Sequence, residues 1–234
     1  MRNRFGTPDE AIFQGRTNDN IELLKAWAGT TLAYGIFITG SQNIIRNVGG
    51  LLQNLLIAAL VCGLGFVLHE LAHRIVARRF GAQAHFVANT QMLLLSLVVA
   101  LIPFGFFFAA PGAVWHRGYL TDRQGGLIAL AGPATNLALS VLFLVTFPFV
   151  LLALQPQDQQ TLRLLVTLFA TGVGLNAFLG LFNMIPAGPF DGAKVLAWSP
   201  LYFGVTVVIG LLLTFVVSRN VDVVWGSMLD VLGV

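Results

Sequence analysis

The chain has 234 residues, of which 56% are hydrophobic and only 10% are charged. Soluble domains carry about 25% charged residues, so this composition excludes a soluble domain and predicts a multi-pass protein embedded in the lipid bilayer. The net charge of +3 comes mostly from arginines beside apolar runs, which fits a membrane protein and argues against a nucleic-acid partner.

The apolar runs divide the chain. Residues 1–20 are polar and predict a cytoplasmic N-terminal tail. Runs that are long enough to cross a membrane, or nearly so, follow at 21–39, 51–79, 91–110, 126–153, 161–186 and 196–217. We therefore predict an all-α polytopic membrane protein with five to six transmembrane helices in a single domain over 21–217, whose core is 50–200. Residues 218–234 predict a short C-terminal tail with an amphipathic pattern that suits an interfacial position.

Positive charges set the predicted orientation. Arg74, Arg78 and Arg79 follow the second helix, and further basic residues precede or open the first helix. Because cytoplasmic flanks are enriched in arginine and lysine, both of these ends are predicted to be cytoplasmic. The stretch HELAH at 69–73 then lies in the inner half of the membrane.

The run at 91–110 has two interpretations. If it crosses the membrane once, the stretch PFDG at 189–192 ends on the outer side, far from HELAH. If it enters and returns, PFDG lies on the cytoplasmic side. Pro103 and Gly105 leave apolar pieces that are too short to span singly as helices. We therefore predict a re-entrant or short β element at about 91–116, with a short helix that enters and an extended return.

Two histidines in the second helix are arranged for metal binding. Residues four apart share one face of a helix, so His69 and His73 can direct their imidazoles at one point. Zinc accepts imidazole nitrogen at about 2.0–2.1 Å, and Glu70 lies where it can take a proton from a zinc-bound water. Ionisable residues inside a membrane helix are costly and indicate function. The pattern predicts a zinc site with Glu70 as general base, against a chance match or a solvated helix end.

A hydrolytic zinc site usually has three protein ligands, so a third is expected. His85, His116 and the acidic residues are the candidates, and most of the acids lie in tails or predicted loops. Asp191 lies in the stretch NMIPAGPFDGAK, where prolines interrupt the helix. It suits either a metal ligand or the N-cap of the next helix. If PFDG lies on the same side as the histidines, the ligand interpretation is favoured.

Three motifs together resemble the site-2 protease family of intramembrane zinc metalloproteases. They are HELAH at 69–73, GPATN at 132–136 and NMIPAGPFDG at 183–192. The resemblance covers roughly residues 50–200. It implies one zinc ion per chain, with His69, His73 and Asp191 as ligands and Glu70 as the catalytic base.

The same resemblance implies roles for further residues. Asn183 matches a catalytic asparagine near the substrate backbone or the developing oxyanion, where an amide donor stabilises charge; alternatively it hydrogen-bonds a kinked helix end. Asn136 is predicted to face inward one turn after Gly132-Pro133, which we expect to open a helix. The role of Asn136 is either interhelical hydrogen bonding or catalysis. Residues 113–115 are expected to form an edge strand that grips an extended substrate.

These residues predict an intramembrane zinc metalloendopeptidase. It would hydrolyse peptide bonds in transmembrane segments of substrate proteins through a zinc-bound water that Glu70 activates. We expect a prokaryotic cell-membrane protein whose active site faces the cytoplasm. A metal-ion or proton transporter and an inactive protein that binds membrane clients are the alternatives. The single His-Glu cluster argues against the transporter, and the intact Glu70 argues against the inactive binder.

Overall fold

The structure, a computed structural model, describes residues 10–13, 18–103, 107 and 111–233. The helices and strands in these ranges are α1 (Glu10–Phe13), α2 (Asp19–Thr39), α3 (Val48–Ala58), α4 (Leu64–Arg79), β1 (Gln83–Ala88), α5 (Thr90–Leu101), β2 (Gly112–Arg117), α6 (Asp122–Leu154), α7 (Gln159–Phe182), α8 (Asp191–Trp198), α9 (Pro200–Leu211) and α10 (Val221–Leu232). Shorter helical segments lie at Ser41–Asn43, Ala59–Gly63, Leu212–Val217 and Ser218–Asn220. The fold is therefore all-α with one small sheet.

Helical stretches in the described part of the chain identify a polytopic membrane protein. Four are long and apolar enough to cross a membrane, namely Val48–Arg79, Asp122–Leu154, Gln159–Phe182 and Pro200–Leu232. α2 was predicted as a further span, and its 21 residues correspond to about 31 Å. Asp19, Glu22 and Lys25 occupy its first two turns and make it less apolar than the four. Because of these charged residues α2 is not among the four, which is why the described part of the chain has fewer apolar spans than the five to six predicted.

A two-stranded antiparallel sheet lies between α4 and α6, with α5 between its two strands. β1 and β2 pair with Ala88 opposite Gly112. β2 includes residues 113–115, so the predicted strand is confirmed, whereas its partner β1 was not predicted. Phe86 of β1 is fully buried and packs against residues of α2 and α4, among them Leu23 and Phe66. This contact holds the sheet against the helices.

The run at 91–110 begins and ends at this sheet. α5 follows β1 and has 12 residues, which correspond to about 18 Å. The N–H of Asn89 donates to the carbonyl of Pro111 at 2.8 Å, so the two ends of the excursion meet. This confirms a re-entrant element instead of a span. The extended return was predicted for 106–115, and of these residues 106 and 108–110 lie outside the described residues.

An ionic cluster fixes the start of α2 to the end of α4. Asp19 Oδ2 accepts from Arg74 Nη1 at 2.8 Å and from Arg78 Nη2 at 2.9 Å. Asp19 Oδ1 lies 2.9 Å from His85 Nδ1. The Asp19 side chain is largely buried, and buried charges persist where they are paired. This cluster occupies His85, which was one of the candidates for the third metal ligand.

α6 begins earlier than predicted. Thr121 and Gln124 form a capping box, and the first helical residue is Asp122. Pro133 therefore lies inside the helix, and the prediction that Gly132-Pro133 opens a helix is wrong. Proline removes one hydrogen bond of the helical ladder, which packing against neighbouring helices makes tolerable in a membrane protein.

Small residues bring α6 and α7 close together. A Cβ on Gly172 would collide with the ring of Phe143, and the Ser140 hydroxyl donates to the carbonyl of Val173 at 2.8 Å. Lipid provides no hydrophobic driving force between helices, so close packing and interhelical hydrogen bonds stabilise such pairs. Asn136, one turn before Ser140, belongs to this contact and reaches the active site.

α3 and α4 form one continuous helix with a π turn at Ala59–Gly63. The indole N–H of Trp27 in α2 donates to the carbonyl of Ala59 at 3.1 Å. A Cβ on Gly63 would lie 2.6 Å from the Trp27 ring, so the glycine permits this close contact. The π turn lies less than two turns before His69.

The predicted C-terminal tail is helical as far as Leu232. α10 packs against α6 and α7, where Trp225 is buried. The Trp225 indole N–H donates to the carbonyl of Leu144 at 2.9 Å, and its ring centre lies 4.0 Å from that of Phe147. The inner face of this segment is therefore covered by protein.

Candidate active site

The three predicted metal ligands converge. His69 and His73 lie one turn apart on α4, and both are buried. Their Nε2 atoms are 3.0 Å apart, and Asp191 Oδ2 lies 3.4 Å from the first and 3.1 Å from the second. Ligands at about 2.0–2.1 Å from a tetrahedral zinc ion are roughly 3.3 Å from one another. The three atoms therefore have the spacing of a zinc-binding group.

Hydrogen bonds on the far side of each ring orient the two imidazoles. His69 Nδ1 lies 2.6 Å from Asn136 Oδ1, and His73 Nδ1 lies 2.6 Å from the carbonyl of Ile128. Both partners are acceptors, so each Nδ1 carries a proton, and Nε2 is the nitrogen of each ring that can bind a metal in the site. Metal-binding histidines are commonly held in this way. The donor set therefore fits a bound zinc ion.

Gly132 leaves space beside these two Nε2 atoms. It lies on α6 opposite the two histidines, and a Cβ there would collide with both Nε2 atoms. Because Gly132 has no side chain, the space next to both metal-binding nitrogens stays open. The glycine of the GPATN motif has a role in the shape of the metal site that the sequence analysis did not identify.

Asp191 reaches the histidines from the first turn of α8. The N–H of Gly192 donates to the carbonyl of Asn183 at 2.8 Å, which closes the loop between α7 and α8. Phe190 occupies the N-cap position of α8, so the alternative of Asp191 as N-cap is wrong. Burial acts to raise the pKa of Asp191, but the contacts with the two imidazoles outweigh it and lower the pKa, which favours the ionised carboxylate.

Asn136 connects the metal group to two further helices. It is fully buried, and its Nδ2 donates to the carbonyl of Gly65 at 3.2 Å and to Asn176 Oδ1 at 3.1 Å. Asn176 in turn donates to the carbonyl of Gly172 at 3.1 Å. Of the two roles considered for Asn136, the contacts are those of interhelical hydrogen bonding, and they hold His69 in place.

Glu70 lies in the same cavity as the metal group. The cavity has a volume of about 710 Å³, and its walls come from α4, β2, α6, α7 and α8. All five predicted site residues line it, namely His69, Glu70, His73, Asn183 and Asp191. Glu70 is buried, and Val114 of β2 lines the same cavity. A carboxylate next to a metal group is suited to accept a proton from water.

Asn183 lines the cavity but uses its amide locally. It lies at the C-terminal end of α7, and its Nδ2 donates to the carbonyl of Leu179 at 2.9 Å. This contact matches the alternative in which the asparagine hydrogen-bonds a kinked helix end. A side-chain amide has a second N–H, so the catalytic role of Asn183 stays a prediction.

Two basic residues, His116 of β2 and Lys194 of α8, also line the cavity. His116 was a candidate metal ligand, but it is not part of the group of ligand atoms formed by His69, His73 and Asp191. Burial lowers the pKa of His116, and the nearby charge of Lys194 lowers it further. Its imidazole is therefore mostly neutral near pH 7. Lys194 was not considered from the sequence.

Relatives of the chain share one name, "Putative zinc metalloprotease". The chain is 42% identical to MJ0611 of Methanocaldococcus jannaschii over 151 residues, which are 64% of this chain and 74% of that protein. The chain belongs to this zinc metalloprotease family. YwhC of Bacillus subtilis is 32% identical over 144 residues, which are 56% of this chain and 63% of YwhC. Rip3 of Mycobacterium tuberculosis is 34% identical over 127 residues, 54% of this chain and 26% of Rip3.

Neither a family model nor a solved structure matches the chain. The names of the relatives and the geometry of the His69, His73 and Asp191 group agree on the cofactor, which is zinc. The match spans less than two thirds of YwhC and about a quarter of Rip3, so these relatives support the protease class of the shared region.

Gly132→Ala is expected to lower the zinc content of the purified protein about tenfold or more, because the added methyl group collides with both metal-binding nitrogens. Elemental analysis of zinc per chain measures the effect. Gly125→Ala is the matched control on the same helix, since a Cβ there meets nothing within 4 Å. Equal zinc content in both variants would contradict the position assigned to the metal.

Asn136→Leu is expected to weaken zinc binding by about 10- to 100-fold, because His69 loses the acceptor that orients it. Competition with a chelator measures the affinity. Ser140→Ala is the matched control, since it removes a buried interhelical hydrogen bond one turn away that does not touch the histidines. A similar loss in both variants would mean that Asn136 acts through helix packing alone.

Proposed function

We propose that the chain is an intramembrane zinc endopeptidase of the site-2 protease type, which hydrolyses peptide bonds within transmembrane segments of other membrane proteins. One observation carries the proposal: a zinc-binding group and the buried Glu70 share a cavity among helices that are apolar enough to cross a membrane. The three sequence motifs and the named relatives support the same reading.

The chemistry of the proposal follows from the lining residues. Zinc in this position would lower the pKa of a water molecule and polarise the substrate carbonyl. Glu70 accepts the proton of the attacking water and passes it to the departing amine. His69 and His73 keep their Nε2 atoms directed at the site because Asn136 and the Ile128 carbonyl hold the opposite nitrogens.

The substrate is proposed to bind as an extended segment. A peptide bond within a helix is shielded by the hydrogen bonds of that helix, so the substrate must unwind before attack. β2 pairs with β1 on one side in the described sheet, and Ala113 and Val114 line the cavity. An unwound strand that pairs with β2 would have its backbone hydrogen bonds satisfied and would lie beside Glu70.

The proposed location is a prokaryotic cell membrane with the catalytic cavity facing the cytoplasm. Arg74, Arg78 and Arg79 lie at the end of α4, and Arg117 and Arg123 lie in or after β2. Basic residues concentrate on the cytoplasmic side of membrane proteins. The relatives come from archaeal and bacterial organisms, which supports the prokaryotic assignment.

Glu70→Gln is expected to keep its zinc and to lose proteolysis by about 10²-fold or more, because the amide cannot accept the proton of water. The assay is cleavage of a synthetic peptide with one membrane-spanning helix of about 20 apolar residues. A Gly-Ser pair at its centre destabilises the helix there. Asp230→Asn is the control, since this acid is exposed on α10. Zinc uptake into proteoliposomes without cleavage by the wild type would favour a transporter and contradict the protease.

The orientation predicts a labelling pattern for single cysteines in a Cys62→Ala background. Ala187→Cys, in the exposed loop before Asp191, is expected to react with a membrane-impermeant maleimide only after cell lysis. Gln42→Cys, at the opposite end of α2, is expected to react in intact cells. Labelling of Ala187→Cys in intact cells would place the active site on the outer side.

A further inference from the structure

His116 and Lys194 form a basic wall of the catalytic cavity that the proposed mechanism does not use. His116 lies on β2, and Lys194 lies one turn after Asp191 on α8. Both line the cavity together with Glu70 and the metal group. Among the described residues the His116 imidazole has no side-chain hydrogen-bond partner, and the Lys194 ammonium has one ion-pair neighbour, Asp191 Oδ1 at 3.9 Å, which is beyond hydrogen-bond distance.

The register of the sheet directs His116 towards the cavity. Side chains two apart on a strand share one face, so His116 lies on the same face as Val114. Val114 packs against a cluster of buried residues to which Ala77 of α4 and Ile128 of α6 belong. Ala84, which lies directly opposite His116 on β1, is fully buried in the same cluster. His116 therefore lies on the face of the sheet that covers the active site, where it lines the cavity and stays exposed.

Charges place Lys194 next to the same space. Its Nζ lies 3.9 Å from Asp191 Oδ1. The other oxygen of this carboxylate, Oδ2, is the one that lies 3.1 Å from His73. The charge of Lys194 also acts on Glu70 and on His116. The general base, the metal group and the two basic residues thus surround one volume.

The amide that would serve the oxyanion has one of its two N–H groups engaged elsewhere. Asn183 Nδ2 donates to Leu179, and Asn136 Nδ2 donates to Gly65 and Asn176. Attack on a peptide carbonyl places negative charge on its oxygen, and hydrogen-bond donors fixed at that point usually give the largest catalytic effect. The basic wall supplies such donors.

We propose that His116 is a catalytic residue that donates a hydrogen bond to the scissile carbonyl oxygen as it becomes an anion, with the Lys194 charge beside it. The inference rests on the proposed proteolytic function. Water oxygen bonds to the carbonyl carbon while Glu70 takes the water proton, and the carbonyl π pair moves onto oxygen. The C=O bond then re-forms, the C–N bond breaks, and the amine leaves with the proton from Glu70. His116 keeps its own proton throughout.

Kinetics of full-length variants in detergent test the proposal with the single-span peptide described above. His116→Ala is expected to lower kcat by about 10²- to 10³-fold, with KM changed less than about threefold and zinc content unchanged. His116→Gln keeps an N–H donor and is expected to recover part of the rate. Arg117→Gln, the next residue on the opposite face of β2, is the matched control and is expected to cleave like the wild type.

A phosphinic peptide, which is a stable tetrahedral anion, provides a second measurement. His116→Ala is expected to bind it more weakly by a factor similar to the loss of kcat/KM, while its thermal midpoint stays at the wild-type value. Activity within twofold of wild type, or loss of zinc from His116→Ala, overturns the role of His116 and leaves the protease assignment intact. A zinc-loaded wild type that cleaves no peptide overturns both.

Discussion

The Nε2 atoms of the two α4 imidazoles lie 3.0 Å apart inside a buried bundle, a spacing at which both can bind one metal cation. Most of the active site follows from this constraint. Each far nitrogen must have an acceptor, which Asn136 and the Ile128 carbonyl provide. The helix opposite must lack a side chain, as it does at Gly132. A carboxylate must arrive from a third element, and Asp191 does so from α8.

The re-entrant segment makes that third element available. Since residues 90–110 leave the sheet and come back to it, α6 and α7 form a pair that returns the chain to the side of the histidines. The sheet at the base of the excursion also forms one wall of the cavity. One hairpin therefore determines both the composition of the metal group and the surface against which a substrate would lie.

The parts that could be predicted from the sequence depend on local geometry. The spacing of His69 and His73 follows from the helix repeat, and the apolar runs indicate membrane helices. Asp191 could be predicted as a ligand only by arguing which side of the membrane each segment reaches, because His69 and His73 precede it by over a hundred residues. The start of α6 was missed although Thr121 and Gln124 carry the capping pattern. β1 could not be predicted, since six residues become a strand here only by pairing with β2.

The π turn at Ala59–Gly63 has a consequence for comparisons between chains. A π turn adds one residue to a helix, so the faces before and after it are offset by about 100°. The first half of this helix can therefore turn its small residues to Trp27 of α2 while the second half turns His69 and His73 to the metal site. A homologue with a regular helix here would need a one-residue gap in the alignment, and without that gap every upstream residue would be assigned to the wrong face.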